Sequence, residues 1–133
     1  MERILIVEDV EQVRVLAESY LREQGHETLS AATMEQALAV LDVAEGIDLL
    51  FVDVGLYEDS NVGLDLAREA VLRRPDLHVL YATGQTVTDG MKALFVEGSA
   101  LLPKPYTVDQ LQTILTVNFG IKPAPPPPIG AKA

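Results

Sequence analysis

Five short apolar runs punctuate this chain, and between them apolar and polar residues interleave at helical spacing. Arg3-Ile4-Leu5-Ile6-Val7 is a β-branched run without alternation, which predicts a strand covered on both faces and so a parallel sheet. Val13, Leu16, Ala17, Tyr20 and Leu21 then recur on one helical face, predicting a helix from about Glu11 to Gln24 with Gly25 as its stop. His26 to Ala31 is half polar, as suits an edge strand. Thr33 with Gln36 predicts a capping box ahead of Met34, Ala37, Leu38 and Leu41, in a second helix that Gly46 ends.

The same unit recurs three more times. Ile47 to Val52, apolar apart from Asp48, predicts the third strand. Gly63, Leu66, Ala67, Ala70 and Val71 predict a helix closed by Arg73-Arg74-Pro75. Leu77 to Ala82 is the fourth strand, and Val87, Met91, Leu94 and Phe95 mark a fourth helix. Ala100-Leu101-Leu102 is a short fifth strand, and Thr107 with Gln110 predicts a second capping box opening a last helix through Leu111, Ile114, Leu115 and Phe119. Strand and helix thus alternate five times, which with right-handed crossovers gives an α/β, doubly wound parallel sheet with helices on both faces. From Lys122 the composition turns to proline and alanine, with five of the eight prolines beyond it. One folded domain over 1–120 is therefore expected, followed over 121–133 by a disordered, extended proline-rich tail or a ligand for a proline-reading domain. No further effector domain is expected after the last helix.

Composition narrows the chemistry. Cysteine is absent, which removes disulfides, thiolate metal sites and thiol nucleophiles. The net charge is -10, and Lys122 and Lys132 are the only charges after Gly120, so residues 1–120 carry -12, the total less those two positive charges. Such a surface repels nucleic acid and anionic membranes, and neither is expected as a partner. No apolar run reaches the roughly 18 residues of a membrane span, and Met1-Glu2-Arg3 opens no secretory leader, so a cytoplasmic location is expected.

In an open parallel sheet, ligands bind beyond the carboxyl ends of the strands. Those ends carry Glu8-Asp9, Asp53, Thr83-Gly84 and Lys104. Singly, each has an ordinary structural role: turn or cap residue, helix cap, solvated lysine. Together, three carboxylates on one rim repel one another unless a cation is supplied, and Lys104 cannot neutralise three. An oxygen-only donor set suits Mg2+, Ca2+ or Mn2+, and a loose set completed by water suits Mg2+ best. Asp53 can then act as a carboxylate nucleophile toward phosphorus, with Thr83 and Lys104 offering a hydroxyl and a point charge to the phosphoryl oxygens.

Glu8-Asp9, Asp53, Thr83 and Lys104-Pro105, each after the appropriate strand, resemble the response-regulator receiver domain of two-component signalling over about Arg3 to Phe119. That resemblance implies a flavodoxin-like (βα)5 fold with strand order 2-1-3-4-5, and a phosphoacceptor at Asp53. It implies Mg2+ held by Asp9, Asp53, the Gly55 carbonyl and, through water, Glu8. Thr83 becomes the switch hydroxyl, Lys104 the phosphate partner, and Lys104-Pro105 a cis peptide. The implied partners are a histidine kinase or histidine phosphotransfer protein, and a downstream protein reached through the helix 4 face. Catalysis is limited to the domain's own phosphorylation and dephosphorylation. Tyr81-Ala82-Thr83-Gly84 with Lys104-Pro105-Tyr106 is similar to the FAT GUY branch, whose members are typically single-domain regulators paired with HWE kinases; Val79 and Gln85 depart from it. Leu101 stands where many receivers carry a switch aromatic, and Val54-Gly55-Leu56-Tyr57 replaces the usual Met-Pro, so Tyr81, Gly84, Leu101 and Tyr106 become the candidate switch surface.

Other readings stay open on the residues. A flavin-binding protein of this fold needs a phosphate loop where Glu8-Asp9-Val10-Glu11 stands. An aspartyl-nucleophile hydrolase needs an acid where Gly55 stands. A receiver-like interaction module that is not phosphorylated, and a receiver cut from a hybrid histidine kinase, both fit the sequence.

Overall fold

The computed structural model describes residues 2–56, 60–84 and 86–123, in which the alternation becomes one five-stranded parallel sheet in the order β2-β1-β3-β4-β5. Tyr57, Gln85 and the proline-rich tail from 124 onward, read above from the sequence, lie outside the described residues. The elements are β1 Arg3–Val7, α1 Glu11–Glu23, β2 Glu27–Ala31, α2 Met34–Val43, β3 Leu49–Asp53, α3 Ser60–Arg73, β4 His78–Thr83, α4 Asp89–Lys92, β5 Ala100–Pro103 and α5 Val108–Phe119.

The unalternating apolar runs are explained by what covers them. Leu5, Val7, Leu50, Val52, Val79 and Tyr81 face a core closed by Ala37 and Leu41 of α2 and Leu64, Ala67 and Ala70 of α3. Ile4, Ile6, Leu49, Phe51, Leu80 and Leu102 face the opposite core, closed by Ala17 and Leu21 of α1 and Leu111 and Leu115 of α5. Central β3 is buried along its whole length, whereas edge β2 is buried only at Ala31.

Three local expectations change. Gly46 has φ +70° but does not end α2, which stops at Val43 with Ala44 extended. The Arg74 guanidinium hydrogen-bonds the carbonyls of Leu41 and Ala44, so a side chain from beyond α3 satisfies the end of α2 and no glycine cap is required. The α2 cap is also not a closed box: Thr33 Oγ1 accepts from Gln36 N at 3.0 Å, but the Gln36 side chain accepts from Ala32 N, not from Thr33. The box at Thr107 and Gln110 is complete, and Gly120 ends α5 in the left-handed conformation. Finally, α4 is a single turn, capped by Thr88, and Val87, Leu94 and Phe95 lie outside it. Glycine at position 90 and the absence of any buried residue in the turn leave little to lengthen it.

Candidate functional site

The sheet register gathers the predicted residues on one rim. Val7 of β1 lies beside Val52, Asp53 beside Ala82, and Thr83 beside Pro103. The ladder runs one step past the strands: Glu8 N donates to the Ala31 carbonyl at 3.1 Å and Lys104 N to the Thr83 carbonyl at 2.8 Å. Backbone geometry therefore fixes where Glu8 and Lys104 leave the sheet. α3 presses close beneath Asp53 because Gly63 has no side chain. A Cβ there would stand 2.4 Å from the Asp53 carbonyl oxygen and 3.0 Å from Val54 Cα.

Lys104 Nζ lies 2.6 Å from Glu8 Oε1 and 3.2 Å from Asp53 Oδ1, bridging two acids that are 4% and 8% exposed. Glu8 is further held by the Val10 amide, which donates to Oε2 at 3.2 Å, and Arg14 Nη1 donates to the Glu8 carbonyl at 2.9 Å. The Gly55 amide donates to Asp53 Oδ1 at 3.1 Å. Asp9 is partly buried, and one carboxylate oxygen each from Glu8, Asp9 and Asp53 lie within 4.8 Å of one another. Thr83 is buried at the end of the neighbouring strand. Lys104-Pro105 is cis.

Burial and the clustered charges both show in the protonation equilibria. Burial pushes the Glu8 carboxyl up, and the Asp53 charge adds to this against the hydrogen bond from Lys104. Burial opposes the Lys104 charge, but the Glu8 hydrogen bond and the charge of Asp53 outweigh it and hold the ammonium above its usual range. Burial, then the charge of Glu8, pushes the Tyr106 hydroxyl up to about 12. Each of these groups holds its proton more tightly than in water, Glu8 and Tyr106 chiefly through burial and Lys104 through its two acidic partners. The donor set is oxygen-only and within reach of a single ion, directly or through water, so the residues present fit a hard divalent cation.

The candidate switch residues divide between the two faces. Tyr81 is fully buried in the core that includes α3, its ring stacked on Phe95 at 4.3 Å and its hydroxyl accepting from Val96 N at 3.1 Å. Leu101 pairs with Tyr81 in register and is partly buried. Tyr106 lies on the opposite face, tilted against Phe51 at 5.8 Å. Gly84 is exposed, with its missing Cβ 3.9 Å from Lys104 Cβ. Arg14, Phe95 and Val96 were not legible as site neighbours. Arg14 acts through a backbone carbonyl, and the other two are reached only by a tertiary contact from Tyr81.

A parallel sheet of this order with acids, a hydroxyl and a lysine on its carboxyl rim defines a class of α/β signalling domains. The sequence profile of the response regulator receiver domain matches residues 4–116, and the chain belongs to that family. It is 24% identical over 119 residues to the response regulator SaeR of Staphylococcus aureus (strain NCTC 8325 / PS 47), an alignment covering 89% of this chain and 50% of SaeR. The chain thus spans about half the length of the curated relatives it matches. Among solved structures, a response regulator receiver protein from Sinorhizobium medicae WSM419 superposes with a TM-score of 0.78 at 24% identity, covering 90% of this chain and 94% of that one. The receiver domain of the hybrid histidine kinase CckA superposes at 0.71 with 32% identity, covering 87% and 97%. Among the described residues, no helix is long and apolar enough to cross a membrane.

Proposed function

We propose that this chain is a phosphoacceptor in cytoplasmic two-component signalling, receiving a phosphoryl group on Asp53 from a histidine kinase or a histidine phosphotransfer protein. The observation that carries the reading is Lys104 Nζ bridging Glu8 and Asp53 beside Asp9. A carboxylate oxygen of Asp53 attacks phosphorus, the P–N bond to the donor imidazole breaks, and the nitrogen leaves with the bonding pair, giving an acyl phosphate. Lys104 exchanges its bond to Asp53 for one to a phosphoryl oxygen, and the Thr83 hydroxyl donates to another. Mg2+, held by Asp9, Asp53, the Gly55 carbonyl and, through water, Glu8, would neutralise the acids against the incoming charge. The output is a changed surface around α4 that a downstream protein reads. The Tyr81-Ala82-Thr83-Gly84 and Lys104-Pro105-Tyr106 segments support placement in the FAT GUY branch.

The test is intact-mass analysis after incubation with acetyl phosphate and Mg2+. One phosphoryl group should be gained, and Asp53→Asn should gain none; equal gain in the variant overturns the assignment, and no gain in either leaves the unphosphorylated interaction module as the better reading. The 32% identity to the CckA receiver supports a second reading, a receiver belonging to a hybrid kinase. Faster exchange with a purified histidine phosphotransfer protein than with a kinase would favour it.

A further inference from the structure

Between α3 and the segment 93–96 lies an open groove of about 390 Å3 with Leu72, Leu94, Phe95 and Val96 among its lining and, among the described residues, Arg68 as its only charged lining residue. That volume lies within the range of clefts that bind ligand-sized groups. Leu72 is 77% exposed and Leu94 41%, so the groove presents apolar surface to solvent in a chain of net charge -10. Single exposed leucines are ordinary, whereas two sharing a groove with a guanidinium form a patch of binding character.

Arg68 sets the character of the occupant. Arg3, Arg22 and Arg73 are paired with carboxylates, and Arg14 and Arg74 donate to backbone carbonyls. Arg68 is exposed and, among the described residues, makes neither an ion pair nor a hydrogen bond. A planar five-donor fork at the edge of an apolar groove fits a carboxylate that accepts two parallel bonds, and arginine beside apolar side chains is a frequent anchor of protein interfaces.

We infer that this groove docks a partner protein segment bearing large apolar side chains next to a carboxylate. The inference deepens the proposed signalling role by naming the surface and chemistry of the output partner, and it rests on that reading. The groove is tied to the phosphorylation site by one strand. Its Phe95–Val96 wall is held by Tyr81, two residues before Thr83 on the same face of β4. A shift of Thr83 toward a phosphoryl group therefore reaches the groove through Tyr81.

The test uses the isotope-labelled full chain and two short synthetic peptides with the same leucine spacing, one with aspartates beside the leucines and one with lysines. Because the lysine peptide is attracted to the acidic surface at large, the location of the amide shifts decides the outcome. The aspartate peptide should shift Arg68, Leu72 and residues 93–96, more strongly after treatment with beryllofluoride and Mg2+. Arg68→Glu should weaken binding about tenfold, as loss of one bidentate pair predicts, and Leu72→Ser should weaken it independently. Equal groove shifts from the lysine peptide, or shifts confined to α5 with the groove unmoved, would overturn the inference. So would groove shifts that follow protein concentration alone, which make a second copy the occupant. Mass analysis of the wild-type chain runs in parallel. No phosphoryl gain defeats the Asp53 reading, whereas a gain without groove binding defeats the groove alone.

Discussion

Gly63→Ala is a sharp test of how the site is built, because helix propensity and packing predict opposite signs. In an open helix interior the change from glycine to alanine stabilises by about 1 kcal/mol. Here the added Cβ would stand 2.4 Å from the Asp53 carbonyl oxygen, and ordinary contacts begin near 3.4 Å, so α3 must withdraw by about 1 Å. The obstacle is backbone at the end of a fully buried strand, which cannot rotate aside. Overpacking of this kind costs about 1–3 kcal/mol, which offsets the propensity gain and leaves a net loss of up to about 2 kcal/mol. For a domain of this size that is a fall in Tm of up to about 8 °C. The displaced backbone is Val54, next to the proposed Gly55 ligand, so Mg2+ affinity should fall roughly tenfold, as when a ligand's support is removed. Gly90→Ala is the control, since its Cβ would make only an ordinary contact, 3.8 Å from Thr88 Oγ1, and the variant should be neutral or slightly stabilised. Thermal unfolding and Mg2+ titration by NMR measure both effects. A Gly63→Ala chain that gains stability and keeps its Mg2+ affinity would refute the argument.

Mg2+ binding should depend more on Asp9 than on Glu8, whose two oxygens already accept from Lys104 and Val10; equal losses in Asp9→Asn and Glu8→Gln titrations would contradict this. Tyr106 should remain protonated to a pH of about 12 in the folded chain while the unfolded tyrosine ionises near 10. Its contribution to stability is therefore fully present below about pH 10 and lost as pH rises toward 12. Denaturation of Tyr106→Phe, compared with wild type across that window, should show a shallower alkaline loss. Tyr81→Phe should cost about 1–2 kcal/mol by orphaning the Val96 amide, read as faster hydrogen exchange at Val96 with the core otherwise protected. With beryllofluoride and Mg2+, amide shifts should concentrate between Gly84 and Phe95. Shifts confined to the loops around Asp53, or a folded Leu101→Ala chain without a response, would defeat that expectation.

The sheet was legible because its signal is local. Runs such as Ile4 to Val7 and Leu49 to Val52 have no polar alternation, and only burial on both faces produces that pattern. The rim residues were legible because β3 and β4 each deliver their last residue, Asp53 and Thr83, to the same end of the sheet, with Glu8 and Lys104 one residue beyond β1 and β5. Features set by distant partners were not. Gly63 reads as an indifferent member of a helical stripe until the Asp53 carbonyl is placed against it. Gly46 has the backbone of a helix stop, yet Arg74, some thirty residues on, supplies the cap three-dimensionally. α4 was over-read because Val87, Met91, Leu94 and Phe95 have helical spacing, but Phe95 is engaged by Tyr81 and the helix closes after one turn.

The placement of Tyr81 bears on how a receiver lacking an aromatic on β5 can still transmit a signal. A ring that turns inward on β5 needs space beside the switch hydroxyl, and at Leu101 there is no ring to move. In this chain the ring belongs to β4, in register with Leu101, and it is already fully buried. A buried, stacked and hydrogen-bonded tyrosine is a poor candidate for rotation, since rotating it would break the Phe95 stack and strand the Val96 amide. It is better suited to transmit a displacement rigidly. The element at the far end is short, one helical turn with no buried residue of its own. A small movement at the end of β4 would therefore meet high resistance at Tyr81 and low resistance between Thr88 and Val96, so the strain of the proposed phosphorylation would be relieved there, at the wall of the Arg68 groove.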